Sequence, residues 1–182
     1  MNVVSTEIEG VYIIEPQVFG DERGYFFESF NAKHFYAQTG IEVTFVQDNE
    51  SRSRKGVLRG LHFQREPHAQ AKLVRVVQGR VLDVAVDIRK DSSTFGKYIA
   101  VELSGDNKRQ LFIPKGFAHG YVVLEDNTVF QYKCDEYYHP ESEDGIAWND
   151  PQLGIEWGIH ESEVILSEKD RVRDTIDSIK IK

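Results

Sequence analysis

Cysteine is nearly absent from this 182-residue chain: there is one, alongside one methionine, two tryptophans and five prolines. A lone thiol, Cys134, can form no intrachain disulfide and no multi-cysteine metal cage. That usage suits a reducing compartment, so the cytoplasm is the expected location and a small buried apolar group the expected role of Cys134. Long apolar runs are missing too. Nothing approaches the ~20 residues of a membrane-spanning helix, and Met1 to Gly10 carries Glu7 and Glu9 without a basic stretch, unlike a signal peptide. Nor is there an excess of positive charge. Lys and Arg number 22 against 30 acidic residues, for a net charge of −8. This disfavours nucleic-acid polymers and anionic membranes as partners, because both bind through a basic field. A small anion is not excluded, since a phosphate needs only one or two arginines converging locally. Internal repeats, low-complexity tracts and Pro/Ser-rich linkers are also lacking, so a single domain over residues 1–182 is expected.

What is present is a packed globular composition, 40% hydrophobic and 12% aromatic, written largely in short strands. From Lys72 to Arg89, Leu82, Val84, Val86 and Ile88 share one face and Asp83 and Asp87 the other, with Gln78-Gly79 as the interruption between two strands. Tyr98–Leu103, Gln110–Ile113, Gly120–Leu124 and Thr128–Cys134 continue the pattern, separated by Gly105-Asp106-Asn107 and Glu125-Asp126-Asn127 turns. Strands at this spacing predict an all-β barrel or sandwich. Helices are short and peripheral. Asn31 caps one that stops at Gly40, and Ser167-Glu168-Lys169-Asp170 has the form of a capping box.

Six histidines are candidates for proton chemistry. His34, His139 and His160 lie in a short helix or polar loops, where a solvated or packing role is expected. His62 lies in Leu58-Arg59-Gly60-Leu61-His62-Phe63-Gln64, where alternation places Leu58, Gly60, His62 and Gln64 on one face. Spacing leaves a structural histidine and a catalytic one equally open. Arg59 falls on the opposite face unless Gly60 bulges the strand. Lys72, Tyr132 and Asp170 each have an ordinary alternative: a snorkelling lysine, a core aromatic and a helix-cap acid. For Asp170, spacing favours the cap.

His119 closes Pro114-Lys115-Gly116-Phe117-Ala118-His119, a Pro-x-Gly-x-x-His spacing that resembles the second motif of the cupin superfamily. Metal-binding cupins add ligands from an earlier His-x-His segment, which here reads His62-Phe63-Gln64. A neutral amide replaces an imidazole donor, so no metal is expected. Taken together, seven segments in order closely resemble the dTDP-4-dehydrorhamnose 3,5-epimerase family. They are Asp21-Glu22-Arg23-Gly24, Phe45 to Ser51, Leu58 to Gln64, Lys72 to Val76, Ile113 to Gly120, Trp148-Asn149-Asp150-Pro151 and Leu166 to Asp170.

The resemblance implies a cupin-type double-stranded β-helix, or jelly-roll, barrel with short peripheral helices. It implies an isomerase that epimerises C3 and C5 of dTDP-4-dehydro-6-deoxy-D-glucose through an enolate, in dTDP-L-rhamnose biosynthesis. By the same resemblance His62 is the base, Asp170 fixes its tautomer, Lys72 stabilises the enolate oxygen and Tyr132 returns the proton from the other side. Arg23, Glu28, Gln47, Asp48, Asn49, Arg59, Lys72, His119, Glu143 and Lys169 are implied contacts of the nucleotide sugar, and Tyr138 a stacking surface for thymine. No cofactor is implied, because the substrate's own ketone is the electron sink. A homodimer is implied, with the Arg23–Glu28 segment reaching a neighbouring site. The alternatives are a relative that inverts only C3 or C5, a metal-dependent cupin enzyme, and a non-catalytic nucleotide-sugar binding module.

Overall fold

A computed structural model describes residues 1–178; the last four positions of the expected 1–182 domain lie outside the described residues. In chain order the elements are β1 (Asn2–Ser5), β2 (Tyr12–Glu15), β3 (Val18–Asp21), β4 (Gly24–Phe27), α1 (Ala32–Thr39), β5 (Gln47–Ser53), β6 (Leu58–Gln64) and β7 (Lys72–Gln78). There follow β8 (Arg80–Asp87), β9 (Tyr98–Ser104), β10 (Gln110–Ile113), β11 (Phe117–Val123), β12 (Thr128–Cys134), β13 (Glu143–Gly145) and the short α2 (Glu168–Arg171). One sheet runs β1-β2-β10-β7-β12-β5 and the other β13-β6-β11-β8-β9, while β3 and β4 form a separate hairpin. All strand pairs are antiparallel. The result is the all-β architecture that the strand spacing predicted, in the jelly-roll form that the family resemblance implied.

Strand alternation sorts side chains into three apolar layers. Between the sheets, Val74, Val76, Val81, Ala85, Leu111, Tyr121, Val123 and Phe130 fill one end of the barrel. Outside the five-stranded sheet, Leu58, Leu61, Phe63, Val84, Val86 and Val122 are covered by Ile146, Leu153, Trp157 and Ile176 from the late part of the chain. Outside the six-stranded sheet, Phe35 of α1 packs with Ile14, Leu73 and Phe112. Each fully buried side chain of this size contributes about 1.5–3 kcal/mol relative to exposure. Helix α1 has the ends predicted for it: Asn31 accepts from the His34 N–H, and Gly40 closes it at φ +71.

Alternation correctly separates Asp83 from Leu82, Val84 and Val86, but the polar side faces inward. Asp83 and Asp87 are fully buried, with Arg89, Ser92 and Thr94 donating to Asp87. The expected single face of β6 is corrected by a bulge. Between the pairs His119↔His62 and Tyr121↔Arg59, β6 advances three residues while β11 advances two. Gly60 absorbs the extra residue at φ +134, where a Cβ would stand 2.5 Å from the Gly120 Cα. Leu58 consequently packs outside the sheet with Leu61 and Phe63, while Arg59 and His62 both reach the interior.

Candidate active site

The end of the barrel not filled by apolar side chains is a cavity of about 540 Å³. Its two walls are the two sheets. The six-stranded sheet supplies Asn49 and Ser51 from β5, Lys72 from β7 and Tyr132 from β12, all at inward positions of their strands. The five-stranded sheet supplies Arg59 and His62 from β6, His119 and Tyr121 from β11, and Glu143 from β13, and the Ser167–Asp170 segment closes the rim. A smaller adjoining recess of about 120 Å³ extends past Lys72 and Tyr132 to Gln47, Cys134 and Tyr138.

His62 and Asp170 meet at this rim, with Nε2 of the imidazole 2.5 Å from Oδ1 of the carboxylate. Asp170 is 4% exposed. Its other oxygen accepts from the Ser167 hydroxyl at 2.9 Å, and its backbone N–H donates back to that hydroxyl at 3.1 Å. The helix cap and the histidine partner are therefore one arrangement: the cap holds the backbone and leaves an oxygen for the ring. Burial pushes the Asp170 carboxyl up, but the hydrogen bond and charge of His62 outweigh it and hold it below its ordinary value,. It stays ionised beside the imidazole.

On the facing wall, burial pushes the Tyr132 phenol up to about 12, so at neutral pH it is a proton donor. The Lys72 ammonium lies 5.9 Å from the Tyr132 ring centroid. Desolvation pulls Lys72 below its ordinary value, against the attraction of Asp83 and Glu143. Cys134 is buried, and desolvation raises its thiol to about 11, so it stays protonated. A wall so poor in solvent strengthens any charge interaction made inside it.

The cleft gathers His62, Lys72, Tyr132, Asp170, Gln47, Asn49, Arg59, His119, Tyr138, Glu143 and Lys169 from the candidates. Three others stay outside it. Asp48 is the outward residue between Gln47 and Asn49, paired with Lys133 at 2.9 Å; the strand pleat turns it to the opposite face, which corrects the expected contact within one chain. Arg23 sits on the β3–β4 turn against Asp21, and Glu28 lies 3.7 Å from His34; neither lines its own chain's cleft.

Three groups that shape the cleft, Asp83, Tyr121 and Ser51, are not among the expected site residues. Asp83 receives Nε2 of His119 at 3.0 Å, both groups buried, and burial lowers the His119 imidazole despite that carboxylate. Tyr121 bonds Ser51 at 2.8 Å and stacks on Phe130 at 4.0 Å. The inward position of Asp83 on β8 was a usable signal once the barrel interior is read as polar at one end.

The former cupin ligand positions are committed to protein partners. His62 bonds Asp170, His119 bonds Asp83, and Gln64 donates to the His68 and Tyr137 carbonyls while accepting from the His139 N–H. Elsewhere His68, Glu136 and His139 bring donor atoms within 4.8 Å of one another. The two imidazoles are stacked face to face at 3.6 Å and 11°, so one ion cannot lie in both ring planes, as coordination requires.

The profile of the dTDP-4-dehydrorhamnose 3,5-epimerase family matches residues 5–178. A dTDP-4-dehydrorhamnose 3,5-epimerase of Escherichia coli (strain K12) is 59% identical over 98% of this chain and 96% of its own length. The crystal structure of the Elizabethkingia anophelis enzyme of that name superimposes with a TM-score of 0.94 at 54% identity, covering 98% of this chain and 97% of that one. A Legionella pneumophila epimerase solved in complex with dTDP-4-keto-L-rhamnose gives 0.93 at 55% identity, over 97% and 93% of the two chains.

Proposed function

Because this chain belongs to the dTDP-4-dehydrorhamnose 3,5-epimerase family, we infer that its cleft carries out that reaction with His62 and Tyr132 as the working pair. The chain is an isomerase of dTDP-L-rhamnose biosynthesis, taking dTDP-4-dehydro-6-deoxy-D-glucose to dTDP-4-dehydro-L-rhamnose. The ketone at C4 acidifies the hydrogens on both C3 and C5, so each inversion needs only removal of a proton from one face and its return on the other.

The observation that carries the assignment is the division of groups between walls. His62 projects from the five-stranded sheet and Tyr132 from the six-stranded one, into the same cavity. A flat enolate held between them is exposed to a base on one face and a phenol on the other. With Nε2 donating to Asp170, Nδ1 of His62 is left to take the proton, and the carboxylate stabilises the imidazolium that forms. Lys72 in this reading neutralises the enolate oxygen, an interaction of the oxyanion-hole type, where one donor is worth about 10²–10³ in rate. Arg59 and Lys169 supply positive charge for the nucleotide sugar, with Gln47, Asn49, His119 and Glu143 as further contacts and Tyr138 as the aromatic surface for thymine.

The proposal extends to assembly. The β3–β4 hairpin exposes Phe19, Tyr25 and Phe26, the last at 70%, and carries Arg23 away from its own cleft. A second copy of this chain is the occupant that suits both facts: the aromatic face packs between copies, and Arg23 and Glu28 enter the neighbour's site. We place this one-domain enzyme in the cytoplasm, in keeping with its single, buried and protonated thiol; among the described residues no helix is long and apolar enough to cross a membrane.

Turnover in deuterated buffer tests the chemistry. Product labelled at both C3 and C5 is expected. Label at one carbon identifies a single inversion, activity lost to a chelator a metal enzyme, and dTDP binding without exchange a binding module.

A further inference from the structure

We propose that Arg173 is a positioning residue of the cleft, acting through Glu143 to set the nucleotide end of the site. Arg173 follows α2 and is not among the residues lining the cavity. Its Nη2 donates to Oε1 of Glu143 at 3.0 Å, and both side chains are 12% exposed. The other oxygen of Glu143 accepts from the Tyr138 hydroxyl at 2.5 Å and pairs with the Lys169 ammonium. One carboxylate thus joins a guanidinium outside the cleft to two groups inside it, and the outer bond decides which way the inner oxygen points.

The fit is specific to this pair of positions. The guanidinium lies against Gly145, where a Cβ would stand 2.9 Å from Nε and 3.1 Å from Cζ. Gly145 is the β13 residue opposite His62 on β6, and Glu143 lies opposite Gln64. The glycine therefore opens the slot through which Arg173 reaches Glu143 along the sheet edge. Arg173 Nε is buried without a hydrogen-bond partner among the described residues. A single directed bond from a planar fork accounts for this placement better than solvation of a surface cation does.

This inference rests on the reading of Glu143, Lys169 and Tyr138 as nucleotide-sugar contacts. Freed from Arg173, Glu143 can turn toward Lys169 alone, which leaves Tyr138 and Lys169 unset for the substrate, while the His62–Asp170 hydrogen bond stays in place and Asp170 loses only the smallest of the influences that hold its carboxyl down. The loss should fall on KM.

The test is a double-mutant cycle of R173M and E143Q, read as initial rates of deuterium wash-in over a range of substrate concentrations. R173M in the native background should raise KM about tenfold, the worth of a hydrogen bond to a charged group, with kcat within about twofold. In the E143Q background the same change should move KM by less than about twofold, because the negative charge that the guanidinium holds is already gone. R173K should recover most of the affinity. If R173M is insoluble, R173Q carries the same expectation. A native KM for R173M beside a raised KM for E143Q overturns this inference alone. Equal losses in both backgrounds overturn it too, since Arg173 then acts independently of Glu143. A native KM for E143Q overturns the nucleotide role of Glu143, and the inference with it.

Discussion

Replacing Asp170 by Asn separates the shape of the rim from its charge. The amide keeps an oxygen for the Ser167 hydroxyl, and the Ser167 cap on the backbone of residue 170 does not involve the side chain's charge. What changes is the 2.5 Å contact with Nε2 of His62. A hydrogen bond between charged partners is worth about 1.5–3 kcal/mol, and at about 1.4 kcal/mol per factor of ten this alone removes about 10- to 100-fold from the rate. A second effect adds to it. An amide N–H aimed at the ring turns Nε2 into an acceptor and places the proton on Nδ1, the nitrogen we propose takes a proton from the sugar. The equivalent change in a serine-protease triad costs about 10⁴, so D170N should lose about 10²–10⁴ in kcat. The assay is single-turnover wash-in of solvent deuterium followed by NMR, with a thermal melt confirming the fold. A D170N enzyme that exchanges within about threefold of native refutes the role of the carboxylate. So does a double variant with His62→Ala that is much slower than His62→Ala alone, because groups acting as one unit do not lose rate twice.

Tyr132→Phe should leave proton removal by His62 intact while cutting inversion by about 10²–10⁴, so recovered substrate gains deuterium without changing configuration; efficient inversion by this variant would exclude Tyr132 as the donor. Because burial lifts this phenol to about 12, its donor form persists at alkaline pH, and no loss of kcat below about pH 10, its unperturbed value, should disappear on Tyr132→Phe. Asp87 is held down to about 2 by Arg89, Ser92 and Thr94 despite its burial. A depressed carboxyl stabilises the fold above its unfolded value near 4 and ceases to as pH falls through 2. Asp87→Asn should therefore cost about 1–2 kcal/mol at neutral pH, a gap that urea titrations should find closing between about pH 4 and 2; a constant gap would show that charge is not the cause. Gly60→Ala should destabilise by about 2–5 kcal/mol, from a left-handed backbone and the clash with Gly120, visible as a lowered melting temperature; an unchanged one would mean the bulge relaxes freely.

Local rules account for most of the strand plan from Lys72 onward. The β7–β8 pair, the β10 and β12 spans and both ends of α1 follow from alternation, turn residues and caps, all set within a few positions of chain. What local rules did not reach was governed by partners far away. The four-residue strands β1 to β4 are too short to show a period and exist through pairing. The face of Arg59 depended on an extra residue being absorbed at Gly60, which requires the close approach of Gly120 on another strand. Asp83 was placed on the correct side of β8, but whether that side meets solvent or a polar lumen is decided by the opposite sheet. Asp170 reads as a cap because caps are local, and its bond to His62 is not. Asp48 shows the reverse: motif resemblance carried three adjacent positions together, and the pleat admits only the outer two, Gln47 and Asn49, to the cleft.

The carboxylate partner of His62 comes 108 residues after it, on the segment that wraps the outer apolar face of the five-stranded sheet through Ile146, Trp157 and Ile176. The length-dependent entropy of closing such a loop is about 4 kcal/mol, much the same as for pairing β2 with β10 through Ile14 and Gln110. The pair therefore depends on two layers at once: the imidazole stands on a barrel strand, and its carboxylate belongs to the layer that covers that strand from outside.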